Sequence, residues 1–250
     1  MASQMLSEAT FAPGSPALAS DSTSAGTMTL RGTIVKSFIL LLVAFVFGAV
    51  GWSRALEWFA DSRALWWLIG YFLLIGLTIA AASNPKLALP AGLVYSVLMG
   101  LWMGAISRVY ELVYEGIVAQ ALLASVCAFV ACLVLYLSGA VRVTAKFARA
   151  IIIATFGIAL LYLIGWILSL FGVNLLFINQ PTTVGIALSI VISIVAALNL
   201  LLDFAFIEQG IKARAPAAME WYAAFGLLAT LVWLYAELLR LLALLRARSQ

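Results

Sequence analysis

Between Arg149 and Asp203 the chain carries no charged side chain. Charged residues make up about a quarter of an ordinary globular chain, so a run of this length has no place on a soluble surface. One apolar helix of ~20 residues crosses the ~30 Å hydrocarbon layer of a bilayer, and this run is too long for one. It breaks at Phe171-Gly172-Val173-Asn174 and again at Asn179-Gln180-Pro181, leaving spans over 150–171 and 183–206. Charged residues cut the remainder into apolar segments at 34–52, 64–82, 87–107, 116–137 and 221–245. Backbone groups in hydrocarbon must be bonded within their own segment, so each span is predicted to be a helix. None shows the in-out alternation of a barrel strand. The expectation is an all-α polytopic membrane protein with seven transmembrane helices over 31–250. It is preceded by a disordered tail over 1–30, rich in Ser, Ala, Thr, Gly and Pro.

Composition agrees. Of 250 residues, 66% are hydrophobic and 10% charged, which excludes a soluble enzyme and a nucleic-acid-binding domain. There is no histidine, so Ser-His and Cys-His catalysis and histidine-ligated metals are excluded. Cys127 and Cys132, five apart on one helix, are read as packing residues and not as a disulfide.

Orientation follows from the basic residues that flank the spans. Arg31, Lys36, Lys86, Arg142, Lys146, Arg149, Lys212 and Arg214 fall on the N-terminal side, and Arg54, Arg63, Arg108, Arg246 and Arg248 on the other. The excess places the N-terminus in the cytoplasm of a plasma (inner) membrane. Seven spans leave Arg246 and Arg248 outside, against the rule; six spans with a re-entrant last segment would remove that violation. Gly100 and Gly104 form a GxxxG pair, and Ser189, Ser193 and Ala197 a small-residue stripe, both suited to close helix approach. Trp66, Trp67, Trp221 and Tyr222 stand at span ends, as interfacial aromatics do.

Ionisable groups at membrane depth are costly and mark function. Asp203 lies near the inner end of the sixth span, and Glu237 and Arg240 lie within the seventh. Glu237 and Arg240 are three apart and share a helix face. Two readings are open: a local ion pair with Arg240 snorkelling outward, or an ion path lined by Glu237 whose charge Arg240 tunes. Two acids close together titrate as a pair, which Asp203 and Glu237 would do as antiparallel neighbours. Depth opposes this. With a turn at 210–216 the two differ by roughly 20 Å, at 1.5 Å per residue. Glu111 and Glu115, four apart, form a second acidic pair. Its oxygen ligands suit Ca²⁺, but the preferred reading is a solvated helix end with Arg108 as partner.

Several stretches together carry a resemblance: Tyr114-Glu-Gly-Ile-Val-Ala-Gln-Ala121, Leu135-Tyr-Leu-Ser-Gly139, Val141-Arg-Val-Thr-Ala-Lys-Phe147, Asn199-Leu-Leu-Leu-Asp203-Phe-Ala-Phe-Ile-Glu208, Met219-Glu-Trp-Tyr-Ala-Ala-Phe-Gly226 and Leu231-Val-Trp-Leu-Tyr-Ala-Glu237-Leu-Leu-Arg240. From about Arg31 to Leu245 the chain resembles the bacterial branch of the Bax inhibitor-1 family. The resemblance implies a seven-helix bundle with the last helix central, and a pH-sensitive Ca²⁺ leak gated by a proton-sharing pair of acids. Asp203 and Glu237 match that pair, with Glu237 standing where a family member carries Asp; as the gate they are also candidate Ca²⁺ contacts. A basic residue that latches the first acid in some relatives has only Lys86 as its local substitute.

Three classes follow: a pH-gated Ca²⁺ leak with H⁺ as its signal, a proton-coupled transporter, and a regulator that binds partner membrane proteins. The chain shows no internal repeat of the transporter kind. A retinal protein needs a lysine in the last span, and none follows Lys212. No protease motif is present, so no enzymatic activity and no cofactor are expected.

Overall fold

The computed structural model describes residues 26–60, 70, 73–79, 83–84, 87–170 and 180–249. Among them are six helices long and apolar enough to cross a membrane. They are α1 (Leu30–Ala60), α2 (Ala88–Val113), α3 (Ile117–Leu137), α4 (Ala145–Leu170), α5 (Thr183–Lys212) and α6 (Met219–Ser249). Each answers to one of the apolar segments. The expected span at 64–82 lies mostly outside the described residues, although 73–79 within it are helical. Trp66, Trp67, Lys86 and the break at 171–174 also lie outside them. So does the tail as far as residue 25, whereas Gly26 onward is built into the fold.

All of these helices except α3 run past their apolar segments. Exposed pairs support these ends: Arg54 with Glu57 at 2.8 Å on α1, and Lys212 with Glu208 on α5. The starts are capped by threonines. Thr144 Oγ1 accepts from Phe147 N–H at 3.2 Å, and Thr182 Oγ1 from Gly185 N–H at 3.1 Å. Helix α5 closes with a Schellman motif: Ala215 N–H donates to Gly210 O and Arg214 N–H to Ile211 O. Arg214 takes the left-handed position itself, at φ 51°.

The chain packs as two compact units, one of residues up to Leu112 with Asp203–Ala229, the other of Val113–Leu202 with Thr230 onward. In the first unit α1 and α2 run parallel. Leu40 packs on Gly92, and Ala44 meets Gly100, Gly48 meets Gly104 and Trp52 meets Arg108 in ascending order. The glycines permit this. A Cβ on Gly100 would strike the Ala44 carbonyl, and one on Gly104 the Gly48 carbonyl. The GxxxG pair thus meets Ala44 and Gly48 of α1, a second small-xxx-small pair. The first turns of α6 join the same unit, with Phe225 edge-on to Tyr95 at 5.0 Å. Phe206 of α5 tilts against Tyr222 at 5.6 Å. Tyr222 is therefore a buried core residue, 3% exposed, and not the interfacial aromatic expected. Its ring fills the gap between the α5 end and the α6 start. Met28, Ala88, Ile207, Ala215, Met219 and Ala223 complete that cluster.

In the second unit polar atoms join apolar helices. Asn199 Nδ2 donates to Thr155 Oγ1 at 2.9 Å, linking α5 to α4. The Cys132 thiol donates to Ala197 O at 3.4 Å, linking α3 to α5. Both cysteines are free, Cys127 being exposed and Cys132 buried. The Ser193 hydroxyl bonds back to Ser189 O at 2.8 Å, and α3 approaches the stripe at Ala197.

Candidate functional site

Glu237 lies near the middle of α6 and is 5% exposed. An isolated carboxylate at that depth would be costly, and the fold surrounds it with donors. Arg240 Nη2 and Nε donate to Oε2 at 2.7 and 3.1 Å. Tyr162, on α4, donates its hydroxyl to Oε1 at 2.6 Å. The Arg240 guanidinium also lies 5.5 Å from the Tyr162 ring centroid, a cation-π distance. Arg240 keeps only 14% of its side chain exposed, so it turns inward and does not snorkel. Sequence reasoning found the Glu237–Arg240 pair from its spacing. It missed Tyr162, 75 residues away, since no local pattern marks a tyrosine that faces a distant acid.

Asp203 lies on α5 in the first unit, half-buried, with its Oδ2 closed off from solvent. The connection between α5 and α6 occupies 213–218, where the depth argument expects it. Asp203 is nine residues before the end of α5 (212 less 203), and Glu237 eighteen after the start of α6 (237 less 219). Glu111 sits in the last turn of α2, but Glu115 does not share its helix face. Helix α2 ends at Val113, and Glu115 lies in the turn before Gly116, whose φ of 76° starts a new direction. Among the described residues no group of three His, Cys, Asp or Glu side chains is arranged to hold a metal.

A second buried acid escaped sequence reasoning. Glu220, in the first turn of α6, is 5% exposed. Its Oε1 accepts from the Thr29 backbone N–H at 2.8 Å and from the Thr29 hydroxyl at 2.9 Å. Its Oε2 lies 2.7 Å from Lys36 Nζ. Thr29 is the N-cap of α1, accepting from Gly32 N–H at 3.0 Å. In a capping box the residue three after the cap reaches back with its own carboxylate to the cap N–H. Here that position is Gly32, and Glu220 supplies the carboxylate from another helix. A Cβ on Gly32 would strike it, so the glycine makes the room. Lys36 also donates to Ala217 O at 3.2 Å and lies over the Trp221 ring. Beside this cluster Met28 N–H donates to Ala215 O at 2.7 Å, and Ala217 N–H to Gly26 O at 2.9 Å. The signal available was Lys36 itself, a lysine inside an apolar run, which needs a partner.

Asn199 was also missed. It is 7% exposed and bonds both Thr155 and the Val195 carbonyl. Interhelical bonds of this kind average about 0.6 kcal/mol in membrane proteins. Thr155→Val should therefore lower thermal stability in detergent by a few degrees at most, and Asn199→Leu by no more. A loss several times larger in either variant would contradict this.

A family model described as Bax inhibitor 1 like matches residues 7–247. No characterised protein and no solved structure gives a significant match. The family match takes in the six apolar helices, the buried acids Glu220 and Glu237, and Asp203 on α5. A match over nearly the whole length, on a fold of long apolar helices, places this multi-pass membrane protein in the Bax inhibitor 1 like family.

Proposed function

We propose that the protein is a pH-sensitive cation leak, with Ca²⁺ as the permeant ion, in which Glu237 and Asp203 are the proton-responsive groups. The observation that carries this reading is the buried Glu237 carboxylate at membrane depth, bonded to Tyr162 and Arg240. Protonation would remove the charge to which Tyr162 and Arg240 are bonded. Asp203 supplies the second acid on the neighbouring helix in sequence. Ligand chemistry supports the choice of ion, since carboxylate oxygens suit Ca²⁺. No enzymatic step enters the reading.

The leak requires a definite topology, for which we propose seven crossings with a cytoplasmic N-terminus in the plasma membrane. Helices α1 and α2 run parallel, and we take the apolar segment at 64–82 as the return crossing between them. The starts of α1 and α6 are bonded side by side through Thr29, Lys36 and Glu220. That needs an even number of crossings between them. Helices α1 to α5 contribute five, and the return contributes the sixth.

Reconstituted into liposomes, the wild type is expected to pass Ca²⁺ at a rate that changes with pH. Glu237→Gln should abolish that pH dependence and Asp203→Asn should weaken it. If both variants keep the wild-type pH profile, the reading is wrong. A regulator acting only by binding partners would give no flux in any of them.

A further inference from the structure

The two oxygens of Glu237 are held by different helices. Oε2 is held by Arg240, one turn further along α6. Arg240 spends both its Nε and its Nη2 on that one oxygen and leaves Oε1 to Tyr162 of α4. The difference matters for motion. Arg240 rides on the same helix as Glu237, so their ion pair persists however α6 turns or slides. The Tyr162 bond joins α6 to α4 and breaks when either moves. At 2.6 Å it is a short bond to a carboxylate, of the strong charge-assisted kind. Tyr162 also offers its ring to Arg240, so one side chain braces both members of the pair.

We infer that Tyr162 is a positioning residue for Glu237: its hydroxyl holds the carboxylate oxygen that Arg240 leaves, and so keeps Glu237 in its ion-paired, non-conducting arrangement. This rests on the leak function proposed above. Opening then requires the Tyr162 bond to break, while the Glu237–Arg240 pair can stay together. Tyr162→Phe isolates the claim, because it keeps the ring beneath Arg240 and removes only the hydroxyl.

The test uses the full chain in liposomes at a fixed neutral pH, with Ca²⁺ flux as the readout. Tyr162→Phe should raise the leak about ten-fold, the size expected when one hydrogen bond to a charged group is lost. The rise should vanish when Glu237→Gln is already present. A merely structural tyrosine would lower thermal stability without this dependence on Glu237. A second readout needs no flux. A phenol bonded to a carboxylate has a perturbed near-ultraviolet band, so the Glu237→Gln minus wild-type difference spectrum should show a tyrosine signal that is absent in the Tyr162→Phe background. An unchanged leak in Tyr162→Phe, or a rise that persists with Glu237→Gln, overturns the inference. If the wild type itself does not leak, the proposed function falls and the gating role with it. The spectrum then still decides whether Tyr162 holds Glu237.

Discussion

Glu220→Ala is expected to destabilise the protein by about 3 kcal/mol, measured as a loss of thermal or denaturant stability of the purified chain. Removing one member of a buried ion pair strands the other, which typically costs 3–5 kcal/mol. The lower end applies here. Lys36 keeps a fifth of its side-chain surface exposed and retains the Ala217 carbonyl and the Trp221 ring. The same variant leaves the Thr29 N–H without its carboxylate and removes a favourable negative charge from the N-terminus of α1. Lys36→Met added to Glu220→Ala should recover part of the loss, because it removes the stranded charge. Gly32→Ala should mimic Glu220→Ala, since its methyl group takes the space of the carboxylate. If Glu220→Ala is neutral, the cross-helix capping box contributes nothing. High salt should change these differences little, as buried pairs are screened weakly.

Gly104→Ala is expected to cost about 3 kcal/mol, at the top of the usual range for overpacking, and Gly104→Leu should abolish the folded yield. The methyl group would meet the Gly48 carbonyl. Backbone cannot rotate away as a side chain can, so α1 and α2 would have to move apart. Gly100→Ala meets the Ala44 carbonyl in the same way. Gly157 of α4 is the control. It is exposed, and nothing lies within 4 Å of its Cβ position. Gly157→Ala should therefore stabilise slightly, by about 0.5–1 kcal/mol, the helix penalty that glycine carries. Equal effects at 104 and 157 would show that the close approach of α1 and α2 is not what the glycine serves.

The charges fall where a single strand of text can show them, and that is why the spans were legible. Among the described residues six of the seven apolar segments reappear as long helices, five of them lengthened by polar ends. The Glu237–Arg240 pair was legible for the same reason, because three residues make nearly one helical turn. Glu115 was misplaced because a left-handed Gly116 ends the helix, and helix periodicity carries no sign of where it stops. Tyr222 was assigned to the interface by its position at a span end. Only the packing of Phe206 against it shows that it is core.

What the sequence determined by itself is that this chain lives in a bilayer as a series of helices. Hydrocarbon leaves the backbone no other way to satisfy its polar groups. Which helices touch was decided by the tertiary structure alone. The pairing of Gly100 and Gly104 with Ala44 and Gly48, of Glu220 with Thr29 and Lys36, and of Glu237 with Tyr162 joins residues tens to nearly two hundred positions apart. Each depends on the shape and charge of a partner surface. One-dimensional spacing carries information about a residue's own helix, and none about the face of the next one.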